Sequence, residues 1–330
     1  MATVLIVSAC GGGSDSSAGE GSATEGGGAT TEPKRVAIFE IVQLDIIDDL
    51  VKGFKENMAK EGFVEGDNVT YETFNAQGET TNCNTIASQL AQGDWDLVYV
   101  VGTSCVQALY QKRPQFPIVF GAMTDPIGAG MAEDFDHPNP NSTGTTDLVP
   151  PDKNLDFLKR ILPDMKTVGT LGNPTEANTE SWMKLFKAEA VERGLKIVEV
   201  PVQSTNDVQI AANSLANRVD VIIAPPDNTV EPAIGSVIRV ALERKVPLLT
   251  AKAEHAEKGA LIGMGVDYYQ IGLLNGTQGA KILNGATPES MPVEALPNPI
   301  TNINLDTATE IGVQIPDDVR SAENVNLIGG

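Results

Sequence analysis

Between Gly11 and Glu32 the chain shows no apolar pattern, and at Lys34 one begins abruptly. The run Val36-Ala37-Ile38-Phe39 is followed by Ile46, Ile47, Leu50, Val51, Phe54 and Met58 at helical spacing, which predicts a strand and then an amphipathic helix. Gly62 closes that helix, and residues 69–74 alternate as a second strand. A helix is expected over 84–91. The continuous run Leu97-Val98-Tyr99-Val100-Val101 then suits a strand buried on both faces of a parallel sheet. Gly102-Thr103-Ser104 opens another helix, and strands follow at 117–120 and 142–145. The rhythm then repeats, with helices predicted at 152–162, 178–194, 208–217 and 229–243 and strands at 167–171, 196–200, 219–224 and 247–250. Strands alternating with helices predict an α/β chain of two doubly wound lobes with parallel sheets. No GxGxxG follows the first strand and no GxxxxGK[ST] occurs, so the phosphate-binding versions of this architecture lack their fingerprints.

Composition narrows the functions open to such a chain. Its 330 residues fit two domains, and a net charge of -21 repels nucleic acid in the absence of a basic patch. Two histidines and three scattered cysteines match no metal-ligand spacing, and no apolar stretch approaches the roughly 20 residues that cross a bilayer. The opening MATVLIVSAC has the shape of a lipoprotein signal, a short apolar segment and small residues before Cys10, the candidate lipidation site, although no positive residue precedes it. The Gly/Ser/Ala/Thr-rich segment that follows reads as a flexible tether, so residues 1–33 are taken as signal remnant and linker.

In open parallel sheets, ligands bind beyond the carboxyl ends of the strands, where helix N-termini offer free N–H groups. The loops at those ends carry Thr103 and Ser104, then Thr124 and Asp125, then Asp147 in the first half. In the second half they carry Asn173 and Asn178, then Asp227 and Asn228, then Asp267. They contain acids and hydroxyls but neither lysine nor arginine, which suits a zwitterion with its ammonium on Asp227, Asp125 or Asp267. Each of these residues is also an ordinary helix cap, so the functional reading rests on the set.

The strings GAMTDPIGAG, NSTGTTD, LGNPTEAN, APPDNTV and GALIGMGVDYYQIGLLNGTQGAKILNG, in this order, closely resemble ABC-transporter substrate-binding proteins of the tryptophan/tyrosine type. The resemblance covers roughly residues 35–315. It implies a type I periplasmic-binding fold with three crossovers, an N-terminal lobe of 34–147 plus 268–298 and a C-terminal lobe of 148–267 plus 299–330. It also implies that the loop Glu40-Ile41-Val42-Gln43-Leu44-Asp45 and the Thr103-Ser104 segment face the ligand, which adds Gln43 to the candidates. The function implied is an extracytoplasmic, lipid-anchored, monomeric receptor that needs no cofactor. It would capture an amino acid, aromatic ones included, for an ABC permease, with a purine, nucleoside or amide as the alternative solute.

Cys83 and Cys105 lie at helix starts on the crevice side of the first lobe. An oxidising compartment permits a disulfide, whereas a 2-1-3 strand order would set strand one between the two loops, so the pairing stays open. A hydrolase using cleft carboxylates is the minority reading: there is no GxSxG, and His137 and His255 read as surface residues. Tyr110, Phe116, Phe120, Trp95 and Trp182 read as core rather than as a stacking box.

Overall fold

The computed structural model describes residues 32–330; Cys10 and nearly all of the predicted tether lie outside them. The first half runs β1 Lys34–Glu40, α1 Asp45–Lys60, β2 Val69–Asn75, α2 Thr80–Leu90, β3 Leu97–Val101, α3 Thr103–Tyr110, β4 Ile118–Gly121 and β5 Ser142–Thr146. The second runs α4 Pro151–Ile161, β6 Thr167–Gly172, α5 Ala177–Glu192, β7 Lys196–Pro201, α6 Val208–Ala216, β8 Val221–Ala224, α7 Ile234–Arg244, β9 Leu248–Thr250 and β10 Ile262–Gly265. The chain then continues through α8 Tyr268–Leu283, β11 Glu294–Ala295, β12 Ile300–Asn304, α9 Leu305–Ile311, α10 Asp317–Arg320 and β13 Val325–Ile328.

Two sheets result, ordered β11-β5-β4-β3-β1-β2 and β13-β12-β10-β9-β8-β6-β7. The chain passes between them at residues 147–150, 266–267 and 296–299, so each lobe contains a segment from the distant end of the sequence. All pairings are parallel except β10 with β12, which run antiparallel. The sequence reading stopped at β9 in the second lobe; β10, β12 and β13 are four or five residues long, and β10 contains two glycines, Gly263 and Gly265, that blur its apolar pattern.

Helix α8 belongs to the first lobe because it lies against α1 along a seam in which glycines on both helices meet the other's backbone. A Cβ built on Gly53 would meet the Tyr269 carbonyl, and one on Gly272 would meet the Leu50 carbonyl, so the two backbones approach as closely as glycine allows. Buried polar groups pin the same helix to sheet one. Tyr99, buried and stacked on Phe54 with ring centroids 4.1 Å apart, donates its O–H to Asn275 Oδ1 at 3.1 Å. Asn275 Nδ2 in turn donates to the Phe120 carbonyl at 3.2 Å. The second lobe has its own core, in which Trp182 stacks on Phe186 at 4.8 Å. Phe116 and Phe120 are core residues as well, while Tyr110 and Trp95 are half-buried.

Cys83 and Cys105 are joined in a disulfide, with Cα atoms 4.8 Å apart. The strand order is indeed 2-1-3 at this edge, but β1 does not keep the cysteines apart. The β2-to-β3 connection must cross over β1, and it lays α2 beside α3 on one face of the sheet. The bridge closes a separation of 22 residues. Replacing both cysteines by serine is expected to cost about 3 kcal/mol from the freed loop entropy of the unfolded chain, read as a lowered denaturant midpoint. Gly272→Ala should lower the melting temperature through overpacking worth about 1–3 kcal/mol, and an unchanged melting curve would contradict the close approach of α1 and α8.

Candidate functional site

The carboxyl ends of both sheets face one another across a cleft. Ile41, Ile46, Ile47, Val101, Gly102, Thr103, Ala122 and Thr124 line it from the first lobe. Asn178, Pro226, Asp227, Asn228, Glu231 and Lys252 line it from the second, and Asp147 and Tyr268 stand at the crossovers. On the first wall Gly102 has φ +102°, in the left-handed region that glycine tolerates, and this turn starts α3 directly from β3. The carbonyl of Gly102 accepts the Cys105 and Val106 N–H groups, while the N–H groups of Thr103 and Ser104 have no backbone partner and lie at the positive end of the helix dipole.

On the second wall two buried carboxylates organise the loops. Asp227 Oδ2 accepts from Asn173 N at 2.6 Å and Thr179 Oγ1 at 2.7 Å, and its Oδ1 accepts from Thr229 N at 2.9 Å and Val230 N at 2.7 Å. Burial, and after it the charge of neighbouring Glu176, push the Asp227 carboxyl up to about 6. Glu176 receives Asn228 N at 2.9 Å and Nδ2 at 2.8 Å on Oε2, and Thr229 N at 3.0 Å and Oγ1 at 2.7 Å on Oε1.

Deeper in the cleft, Glu231 meets Lys252 Nζ and His255 Nε2, each at 3.1 Å. Burial would raise the Glu231 carboxyl, but the Lys252 charge and the His255 hydrogen bond outweigh it and hold the group at about 2. Lys252 Nζ also lies 5.6 Å from the centre of the Tyr268 ring, and Tyr268 donates its O–H to Asp147 Oδ2 at 2.8 Å. Burial raises the Asp147 carboxyl, more than the Tyr268 hydrogen bond lowers it. Two buried oxygens here have no partner among the described residues, Asp147 Oδ1 and Asn178 Oδ1. Thr124 faces Asp147 without reaching hydrogen-bond geometry.

The cleft therefore brings together six of the residues singled out from the sequence: Thr103, Thr124, Asp147, Asn178, Asp227 and Asn228. Ser104 and Asn173 line a neighbouring cavity that shares Ile41 and Asn228 with the cleft. The remaining three lie elsewhere. Gln43 is exposed and does not line the cleft that Ile41 and Ile46 border. Asp125 caps its own turn by accepting Gly128 N at 2.8 Å, and Asp267 caps α8 by accepting Gln270 N at 3.0 Å. Asp227 borders the cleft, but its four protein donors leave no lone pair well placed for a ligand ammonium, contrary to the expectation from sequence.

Lys252 contradicts the expectation of a cleft without cations. It follows the short strand β9 in a segment whose sequence carries no site signature. His255, read as a surface residue, is 1% exposed; the alternating charges around it conceal a 3-10 turn, Ala253–Ala256, folded against β10. His137 is exposed and bonded to Asp134 at 2.8 Å.

The family model for ABC transporter substrate binding proteins matches residues 35–325. The chain belongs to this family. Its fold is the type I periplasmic-binding fold. This substrate-binding protein is 30% identical over 295 residues to a tyrosine-binding protein of Clostridioides difficile, covering 89% of this chain and 84% of that one. It is similar to the structure of a Streptococcus pneumonia ABC domain in complex with L-Trp, with TM-score 0.84 and 29% identity, covering 89% of this chain and all of the other. The ligand-free, open structure of a Clostridium difficile substrate binding protein with adhesive properties gives a TM-score of only 0.68 at 32% identity, covering 89% and 99%. Away from the crossovers, no hydrogen bond among the described residues runs from one lobe to the other.

The buried Glu231 pair gives a pH prediction. With a folded value near 2 against an ordinary 4.5, Glu231 contributes stability that is present above about pH 4.5 and is lost as pH falls toward 2. Glu231→Gln should flatten that part of the acid-unfolding curve. Lys252→Met, which leaves a buried carboxylate with one partner fewer, should destabilise at neutral pH by about 3 kcal/mol in urea titration.

Proposed function

We propose that the protein is an extracytoplasmic receptor that captures a free α-amino acid with an apolar, preferably aromatic, side chain between its lobes and delivers it to an ABC permease. The observation that carries this reading is the pair of unpartnered buried acceptors, Asp147 Oδ1 and Asn178 Oδ1, lining one cavity. Buried polar atoms find partners in folded proteins, and here an ammonium brought by the ligand is the fitting donor. The ligand carboxylate then meets the free N–H groups of Thr103 and Ser104 and the Thr103 hydroxyl across the cleft. Ile41, Ile46, Ile47 and Val101 offer the side chain an apolar wall. The tyrosine-binding relative and the L-Trp complex support the same class of ligand.

Binding from both walls at once supplies the differential affinity that favours the closed form over the open one. Neither Asp227 nor Glu176 is free for acid–base work, since protein donors occupy their oxygens. Lipidation at Cys10 after export, anchoring in the membrane, and action as a monomer complete the proposal. The disulfide between Cys83 and Cys105 is in keeping with an oxidising compartment.

A thermal-shift panel of the common L-amino acids should give its largest stabilisation with tryptophan, tyrosine or phenylalanine, and a flat panel would remove the ligand class. Asp147→Asn keeps an acceptor for the Tyr268 hydroxyl and turns an amide donor toward the ammonium. It should weaken binding about thirtyfold or more, which is about 2 kcal/mol by calorimetry.

A further inference from the structure

Asn178 presents its oxygen, not its nitrogen, to the cavity, and that choice is made outside the cavity. Its Nδ2 donates to Glu176 Oε2 at 3.2 Å and to the Pro226 carbonyl at 3.0 Å. Both partners are acceptors only, so a flipped amide would set Oδ1 against two oxygens and leave the NH2 group without either bond. The side chain is 4% exposed, so water cannot compensate for such a flip. Glu176, itself 5% exposed, sits at the start of α5, two residues before Asn178, and is held by Asn228 and Thr229 from the opposite loop.

We propose that Glu176 is a positioning residue that sets the polarity of the binding site: by anchoring the Asn178 amide it turns an acceptor toward the ligand, and so makes the receptor select a solute carrying an ammonium over the same solute without one. The inference rests on the amino-acid reading above. Glu176 does not touch the ligand; it acts through Asn178. A site whose buried acceptors go unpaired rejects the analogue that lacks the donor, which is a stronger discrimination than apolar fit provides. The Asp227 cluster beside it holds the same two loops but contributes no bond to the Asn178 amide.

The test compares dissociation constants for L-tyrosine and 3-(4-hydroxyphenyl)propionate, and for L-tryptophan and 3-(indol-3-yl)propionate, whose members differ only by the amino group. In the intact protein the amino acid binds more tightly in at least one pair. Glu176→Ala frees the Asn178 amide and should shrink that preference at least tenfold, chiefly by weakening the amino acid. Glu176→Gln, whose carbonyl can take the place of Oε2, sets its NH2 against the rotatable Thr229 hydroxyl and against the Thr229 N–H, which keeps its bond to Asp227 Oδ1; it should restore a large part of the preference that Glu176→Ala loses. In an Asn178→Ala background, Glu176→Ala should leave the preference unmoved.

Equal weakening of both members of a pair in Glu176→Ala, or a Glu176→Gln variant no more selective than Glu176→Ala, would reduce Glu176 to a structural role and overturn the proposal. Should Glu176→Ala not fold, nuclear magnetic resonance of the intact protein decides: the Asn178 side-chain NH2 protons must be protected from solvent with and without tyrosine, and rapid exchange overturns the inference. An intact protein that binds the propionates as tightly as the amino acids would instead sink the ammonium site itself.

Discussion

A carboxylate withdrawn from water has to be met by donors, and the second wall of the cleft is arranged around that demand. Asp227 and Glu176 are both buried, and between them they gather N–H and O–H groups from the β6–α5 loop and the β8–α7 loop. Removing either would strand several donors at once. The two loops are therefore fixed to each other by polar bonds rather than by apolar packing, and the cavity wall inherits their rigidity. Both acids are thereby fully committed to protein donors, whereas Asp147 Oδ1 and Asn178 Oδ1 on the same cleft have no partner among the described residues.

The two walls contribute different chemistry. The first supplies isoleucines and the N-terminus of α3, a helix started by a left-handed glycine and tied to α2 through Cys83 and Cys105. The second supplies carboxylates, amides and the buried Lys252–Glu231–His255 group. Because Glu231 is matched by Lys252, the deep end of the cleft is polar without carrying a large uncompensated charge. Asp147 and Tyr268 stand side by side where two crossovers meet the first lobe, and the phenol–carboxylate bond between them ties those two crossovers together.

Much of the architecture was legible because parallel strands buried on both faces leave continuous apolar runs such as Leu97–Val101, and amphipathic helices such as α1 leave a stripe at three- and four-residue spacing. The last strands of the second lobe were not, being short, glycine-bearing or polar, and paired across long separations that no local pattern records. At the cleft, strand-end logic picked out Thr103, Thr124, Asp147 and Asn178, which line it, but could not tell a carboxylate filled by protein donors from one with an open oxygen: Asp227 and Asp147 look alike until their donors are placed. Lys252 and Glu231 escaped because each needs the other to be buried, a dependence between residues 21 positions apart. The disulfide was left open because strand order describes a plane, whereas the helices above it decide which side chains meet.

The seam between α1 and α8 joins residues near the beginning of the chain to residues more than two hundred positions later, and β11 closes the edge of the same sheet later still. The first lobe thus cannot be finished while it is being synthesised; its keystone arrives only after most of the second lobe has been made. Contacts of such long range slow folding. A break anywhere in residues 148–267 would therefore leave the first lobe, as well as the second, without a part it needs.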